Sequence, residues 1–172
     1  MLYYLYIFII LIIIFLYLYI KIKFRFWSKQ PVFNIYNIYY WILEPGIINY
    51  SLNESSKFLD LQHIKYQFYN DLTIKSKNKF IEFLNENYLN ETICKYKPSD
   101  NNIDFYFKNT INPIYTFYTL KYTNKLIASI TGRQLSVNIK NKKFKCYYVD
   151  YLCIHKDFRK RGYAEKMIQT HE

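Results

Sequence analysis

The stretch Val149-Asp-Tyr-Leu-Cys-Ile-His-Lys-Asp-Phe-Arg-Lys-Arg-Gly-Tyr-Ala164 reads as a strand, a short basic turn and the first residues of a helix. Tyr151–Ile154 is an unbroken apolar run, the pattern of a strand covered on both faces. Arg159, Lys160 and Arg161 then gather positive charge beside Gly162, where the lack of a Cβ lets backbone approach a ligand. A strand that leads through such a turn into a helix N-terminus suits an anion, because free N–H groups and the helix dipole both favour negative charge there.

Upstream of this unit the pattern is that of a meander. Ile114–Tyr122 forms a strand, Thr123-Asn124 a tight turn, Lys125–Ile139 a long second strand, Asn141-Lys142 another turn, and Phe144–His155 the third strand. Gly132 marks a bend or bulge in the long strand. A helix begins at about Tyr163. Before the meander, Ser76–Tyr88 carries Phe80, Ile81, Leu84 and Tyr88 at helical spacing, with Ser76 as its N-cap. Lys97–Pro113 reads as a loop with an aromatic run at Phe105–Phe107. Ile64–Phe68 is a short apolar stretch that fits a strand, and Pro45-Gly46 marks a turn.

Residues 1–20 contain no charged side chain and are long enough to cross a bilayer as a helix. A signal peptide fits poorly: no basic segment precedes the run, and no small-residue cleavage site follows it. Lys21, Lys23, Arg25 and Lys29 lie directly after it. The positive-inside rule then puts the remaining chain in the cytosol as a single-pass membrane protein. Sequons at Asn49, Asn53 and Asn90 point the other way, but such triplets arise by chance in an Asn-rich chain. Phe24–Val32 follows as an extended arm, because Pro31 biases Gln30 toward extended backbone. The expected domains are therefore an anchor over 1–20 and one α+β domain over 21–172.

Composition narrows the function classes. The net charge of +11 suits an anionic partner: nucleic acid, a membrane surface or a phosphorylated cofactor. Most of the lysines are scattered, and no nucleic-acid recognition motif is present, so no nucleic-acid partner is expected. Aromatic residues make up 22% of the chain, and Ile, Asn and Lys are also abundant. A codon bias produces this pattern by itself, so the mere presence of Tyr, Asn or Lys carries no argument. Cys94, Cys146 and Cys153 lack metal-ligand spacing, and no metal site is expected. Cys153 reads as a small buried apolar residue with no activating partner, and His155 as a structural histidine.

Four segments resemble, in order, the N-myristoyltransferase family. Phe24-Arg-Phe-Trp-Ser-Lys-Gln-Pro-Val32 resembles its F-W-x-x-Q-P-V signature, and Phe83-Leu-Asn-Glu-Asn-Tyr88 its L-N-E-N-Y helix end. Lys125-Leu-Ile with the long strand after it resembles K-L-V-G-F-I, and Tyr151-Leu-Cys-Ile-His-Lys156 resembles F-L-C-V-H-K. The resemblance implies a GNAT-like acyl-CoA N-acyltransferase fold, mostly antiparallel sheet with helices. It implies a transferase that moves myristoyl from myristoyl-CoA to the amine of an N-terminal glycine in a peptide or protein; the alternatives are a GNAT-type acetyl-CoA-dependent N-acetyltransferase and a non-catalytic membrane-anchored protein that binds acyl-CoA. Tyr151 and Leu152 would supply two backbone N–H groups as an oxyanion hole. Cys153 and Ile154 would continue the acyl-CoA contact. Lys160, Gly162, Tyr163 and Ala164 would hold the pyrophosphate, and Arg25, Phe26 and Trp27 would pack over the CoA. The family's turn resembles R-S-K-R-V-A, whereas this chain has Arg159-Lys-Arg-Gly-Tyr-Ala164. The family also has a second GNAT-like half whose C-terminal carboxylate is the base. This sequence matches the first half, so a truncated chain is expected, and acyl-CoA binding is what its residues encode most fully.

Overall fold

The computed structural model describes residues 2–30, 39–42, 57–89 and 95–172. The chain divides into two compact units, Met1–Glu54 and Ser55–Glu172. In the first, α1 (Leu2–Lys23) is one helix of 22 residues. At 1.5 Å per residue it is about 33 Å long, enough to span a bilayer core. Its apolar side chains are exposed along its length, and it is long and apolar enough to cross a membrane. The helix continues past residue 20, and Lys21 and Lys23 pack back on rings one turn earlier. Lys21 lies over Tyr17, and Lys23 bonds the Tyr19 hydroxyl. Beyond α1 the chain turns through 24–26 into a 3-10 turn, Trp27–Lys29, where an extended arm was expected. Only at Gln30, before the proline, does the backbone extend. A short helix α2 (Tyr39–Ile42) follows. Pro45-Gly46, the three sequons and Cys94 lie outside the described residues.

The second unit is built on one antiparallel sheet in the order β1 (Ile64–Phe68), β2 (Ile114–Thr119), β3 (Leu126–Ile139), β4 (Lys142–Ile154). Helices α3 (Ile74–Asn87) and α4 (Asp100–Lys108) belong to this unit, as does α5 (Tyr163–His171). A core of Phe80, Leu84, Ile103, Phe107, Tyr115 and Cys153 joins α3 and α4 to the sheet. A second core of Ile64, Tyr118, Ile127, Ile130 and Met167 joins α5 to it.

The structure corrects several local expectations. The N-cap of α3 is Thr73, whose hydroxyl accepts from the Ser76 N–H; Ser76 sits inside the first turn. The expected loop at 97–113 contains α4. Ser99 caps it by accepting from the Asn102 N–H, and Ile103 and Phe107, one turn apart, are fully buried. Its Asn- and Asp-rich start imitates a loop, while two apolar anchors and a cap suffice to set the helix. The β3–β4 hairpin turns at Lys140-Asn141, one residue earlier than expected. Both have positive φ, 46° and 65°, as a type I′ turn requires. Gly132 is regularly paired, with Ile114 on one side and Val149 on the other. Glycine is needed there because a Cβ would lie 2.6 Å from His171 Nε2. That imidazole closes α5 onto the sheet through its Nδ1, 2.8 Å from the Thr116 hydroxyl. Burial lowers the pKa of His171. The run Tyr151–Ile154 is only partly covered: Cys153 is buried, while its neighbours are half-buried. β4 is an edge strand of this sheet, so one flank lacks a strand neighbour among the described residues.

Candidate acyl-CoA site

The ladder between β3 and β4 is regular except at one place. Ser129 pairs with Cys153 and Thr131 with Asp150, so Tyr151 and Leu152 together face Ile130. This is a β-bulge, which bends the strand and frees a residue from the ladder. Tyr151 has φ of +49°, a left-handed conformation that is costly for a bulky side chain. Its ring is fixed by an aromatic nest. Tyr88 and Tyr106 have centroids 5.7 Å away, and Phe107 and Phe80 lie at 6.1 and 6.2 Å. The Tyr151 hydroxyl is 3.1 Å from that of Tyr96. Burial raises the pKa of the Tyr151 phenol, which stays neutral.

Asp150, just before the bulge, is anchored separately. Its carboxylate accepts from the Tyr106 hydroxyl and, at 3.4 Å, from Arg133 Nε. The Arg133 guanidinium also lies over the rings of Tyr106, at 4.4 Å, and Tyr148, at 5.1 Å. Burial, with the hydrogen bond to Asp150, pushes the Tyr106 phenol up to about 12, so it remains a donor. On the carbonyl side, Thr131 Oγ1 donates to the Asp150 oxygen at 3.1 Å, and Ser129 Oγ to the Tyr151 oxygen at 3.4 Å.

Beyond β4 the chain is tied to the end of α3 by Asn87. Its Oδ1 accepts from the Lys156 N–H at 3.1 Å, and its backbone oxygen accepts from Arg159 Nη2 at 2.6 Å. Arg159 Nε donates to the Ile154 oxygen as well. Arg159 is therefore committed to backbone carbonyls, while Lys160 and Arg161 are exposed. Lys160 and Gly162 both have positive φ, 59° and 78°. Gly162 is the N-cap of α5 without a side-chain capping bond, and a Cβ there would meet nothing within 4 Å. The exposed cationic residues Lys160 and Arg161 thus lead directly into the N-terminus of α5, a combination that suits phosphate. Tyr163 spends its ring on Tyr118 and Phe158, so its contribution to such a site is its backbone N–H.

The expected site residues Tyr151, Leu152, Cys153, Ile154, Lys160, Gly162, Tyr163 and Ala164 fall on one strand–turn–helix segment. Arg25, Phe26 and Trp27 belong to the first unit, and their expected place over the CoA rests on the resemblance. There Phe26 is buried, with its ring edge-on to Trp27 at 5.1 Å. His155 is structural: it is buried, and its Nδ1 accepts from the Asp157 N–H. Burial, then repulsion from Lys125, lowers its pKa. Cys153 is buried, and burial pushes its thiol up to about 12, which makes it inert. Among the described residues no group of His, Cys, Asp and Glu could hold a metal. Sequence reasoning missed the supports, namely Ser129, Thr131, Asp150, Arg133 and Asn87. Only Asn87 had a signal, as the second Asn of the quoted helix-end motif.

An antiparallel sheet with a bulged edge strand, followed by a basic turn into a helix, is the arrangement that the sequence resemblance implies. Residues 52–171 match the N-terminal domain of myristoyl-CoA:protein N-myristoyltransferase, and the chain belongs to that family. Among solved structures it is similar to Saccharomyces cerevisiae N-myristoyltransferase with bound myristoyl-CoA. The identity is 20% and the TM-score 0.66, over 85% of this chain and 36% of that one. The same yeast protein with bound myristoyl-CoA and inhibitors matches at 20% identity and a TM-score of 0.65, over 85% of this chain and 35% of that one. The chain thus spans about a third of the length of these yeast structures (36% and 35%). At this identity the likeness speaks for the fold. No curated protein sequence matches.

Proposed function

We propose that this chain carries the acyl-CoA half of a glycylpeptide N-tetradecanoyltransferase. Myristoyl-CoA is the co-substrate, and the amine of an N-terminal glycine is the acceptor. The observation that carries the reading is the family match over residues 52–171, which includes both the bulge and the Gly162 turn. In this reading the amine nitrogen attacks the thioester carbon and the C–S bond breaks. CoA leaves as its thiolate and ends as the free thiol by taking up the proton that the amine nitrogen loses. Negative charge builds on the carbonyl oxygen, and the N–H groups of Tyr151 and Leu152 stabilise it. Backbone donors need no particular side chain, which is why Tyr at 151 can stand where the family pattern has Phe. Lys160–Ala164 receive the pyrophosphate, and Cys153 and Ile154 line the way between.

Acyl-chain selectivity tests the proposal. Each buried methylene contributes about 0.8 kcal/mol, so a long-chain site separates myristoyl-CoA from acetyl-CoA by orders of magnitude. Isothermal titration of the full chain in detergent should show tight myristoyl-CoA binding and negligible acetyl-CoA binding. Equal weak binding of both would leave only a generic CoA fold. Tight binding without transfer to a Gly-initiated peptide would make the chain a carrier of acyl-CoA.

We further propose that α1 anchors the chain as a single membrane span, with the second unit cytosolic. Exposed apolar side chains along α1 and the cluster of basic residues after it support this topology. Asn49 is the reporter. In cells it should carry no glycan, and a glycosylated Asn49 would reverse the topology.

A further inference from the structure

We infer that the hydroxyls of Ser129 and Thr131 on β3 are positioning groups for the acyl-transfer step. They peg two successive peptide units of β4 so that their N–H groups point the same way. The inference rests on the reading of Tyr151 and Leu152 as thioester donors and deepens it.

In a regular strand successive carbonyls alternate in direction, and so do successive N–H groups. Two neighbouring N–H groups cannot then converge on one oxygen. Here the carbonyls of Asp150 and Tyr151 are successive, and both accept from β3: Asp150 from Thr131 Oγ1 and Tyr151 from Ser129 Oγ. In a trans peptide the N–H lies opposite the C=O of the same unit. With both carbonyls drawn to β3, the N–H of Tyr151 and the N–H of Leu152 both turn away from it. They face the free edge of β4, where no described strand competes for them. The reversal needs an unusual backbone at the residue between the two units, and Tyr151 has it, with φ of +49°.

The two hydroxyls are well placed to enforce this. Ser129 and Thr131 are completely buried, two residues apart on β3, and bracket Ile130, the residue that faces the bulge. A buried hydroxyl is costly unless it is bonded, so these two have strong reason to keep the carbonyls they meet. An apolar side chain at either position would still pack the core, yet would release a peptide unit to rejoin the ladder. Neither side chain touches the reacting atoms; both act through the backbone they hold.

The test uses the full chain in detergent and the variants S129A, T131V, the double variant and T131S. The first readout needs no ligand. The HN–Hα coupling of Tyr151 in the ¹⁵N-labelled chain reports its φ. The parent and T131S should keep the coupling of a left-handed residue, while the double variant should move to that of an extended strand. An unchanged coupling in a folded double variant overturns the inference, whatever the chain binds. S129A alone guards against a double variant that fails to fold, and an unshifted coupling there counts against the Ser129 peg. The second readout uses myristoyl-CoA labelled with ¹³C at the thioester carbonyl. Its infrared stretch should fall on binding to the parent and fall less in the double variant, with affinity unchanged. Where a transfer assay is active, kcat should drop on the order of 10- to 100-fold with KM for myristoyl-CoA nearly constant, and T131S should restore it. A parent that keeps its Tyr151 coupling yet leaves the thioester stretch unshifted would refute the acyl-transfer reading and spare the backbone geometry. A parent stretch that shifts equally in the double variant would refute the pegs.

Discussion

Phe80→Ala should cost about 3–5 kcal/mol of unfolding free energy, the range for emptying a fully buried aromatic site. Phe80 has no exposed surface. Its ring lies 4.8 Å from that of Tyr115 on β2, 6.3 Å from Tyr69 and 6.2 Å from Tyr151 at the bulge. It is therefore the point where α3 meets the sheet and where the aromatic nest around Tyr151 is closed from below. Little can move into the void, because the neighbours are themselves rings held in a close-packed layer. In a unit of this size the loss corresponds to a fall in melting temperature of roughly 10–25 °C. The control is Phe105→Ala. Phe105 is 72% exposed on α4 and should change stability by no more than about 0.5 kcal/mol. Thermal melts of both variants decide the matter. If Phe80→Ala were as mild as Phe105→Ala, the α3–sheet core would be wrong as drawn.

That core was only half legible beforehand. The spacing of Phe80, Ile81 and Leu84 declared the inward face of α3, because an apolar stripe at helical period has few other uses. The other half, α4, was hidden. Its apolar anchors, Ile103 and Phe107, are a single turn apart and stand in a run of Asn and Asp that imitates a loop. One buried stripe one turn long gives periodicity nothing to repeat. The site divides in the same way. Gly162 and the basic residues around it announce the proposed anion turn from composition alone, since glycine and clustered charge are local signals. The bulge has no local signal. Tyr151-Leu152 looks like any apolar strand, and its extra residue exists only relative to the Ser129–Thr131 pairing across the hairpin. The pegging hydroxyls are quieter still, because Ser129 and Thr131 alternate unremarkably with apolar neighbours in β3. The resemblance implies the two proposed donor positions; the way two adjacent N–H groups can share a direction lies in the pairing across the hairpin. Gly132 shows the converse error. A glycine inside a strand suggested a bend or bulge, but the cause is His171, which arrives from α5 at the C-terminal end of the unit.

Gly162→Val should weaken myristoyl-CoA binding by about 10- to 100-fold, through two effects that act together. Gly162 has φ of +78°, and a β-branched residue held in the left-handed region costs roughly 1–2 kcal/mol. The new side chain would also project into space that is open in this structure, where a Cβ meets nothing within 4 Å. Gly162 is the N-cap of α5, directly before its first N–H groups, so the side chain would displace an anion bound to them. Losing one hydrogen bond to a charged group costs about 1.5–3 kcal/mol, which sets the size of the effect. Gly162→Asn separates the causes, because asparagine tolerates the left-handed region but still fills the space. It should fold like the parent and bind myristoyl-CoA poorly. The ligand must be varied as well as the protein. S-myristoyl-pantetheine keeps the acyl chain and thioester but lacks the pyrophosphate, so its affinity should be nearly the same for the parent and both variants. The turn would then account for the difference between the two ligands, and the bulge on β4 would still serve the thioester they share. If both ligands lost affinity equally, the turn would be a structural joint between β4 and α5 with no part in holding phosphate.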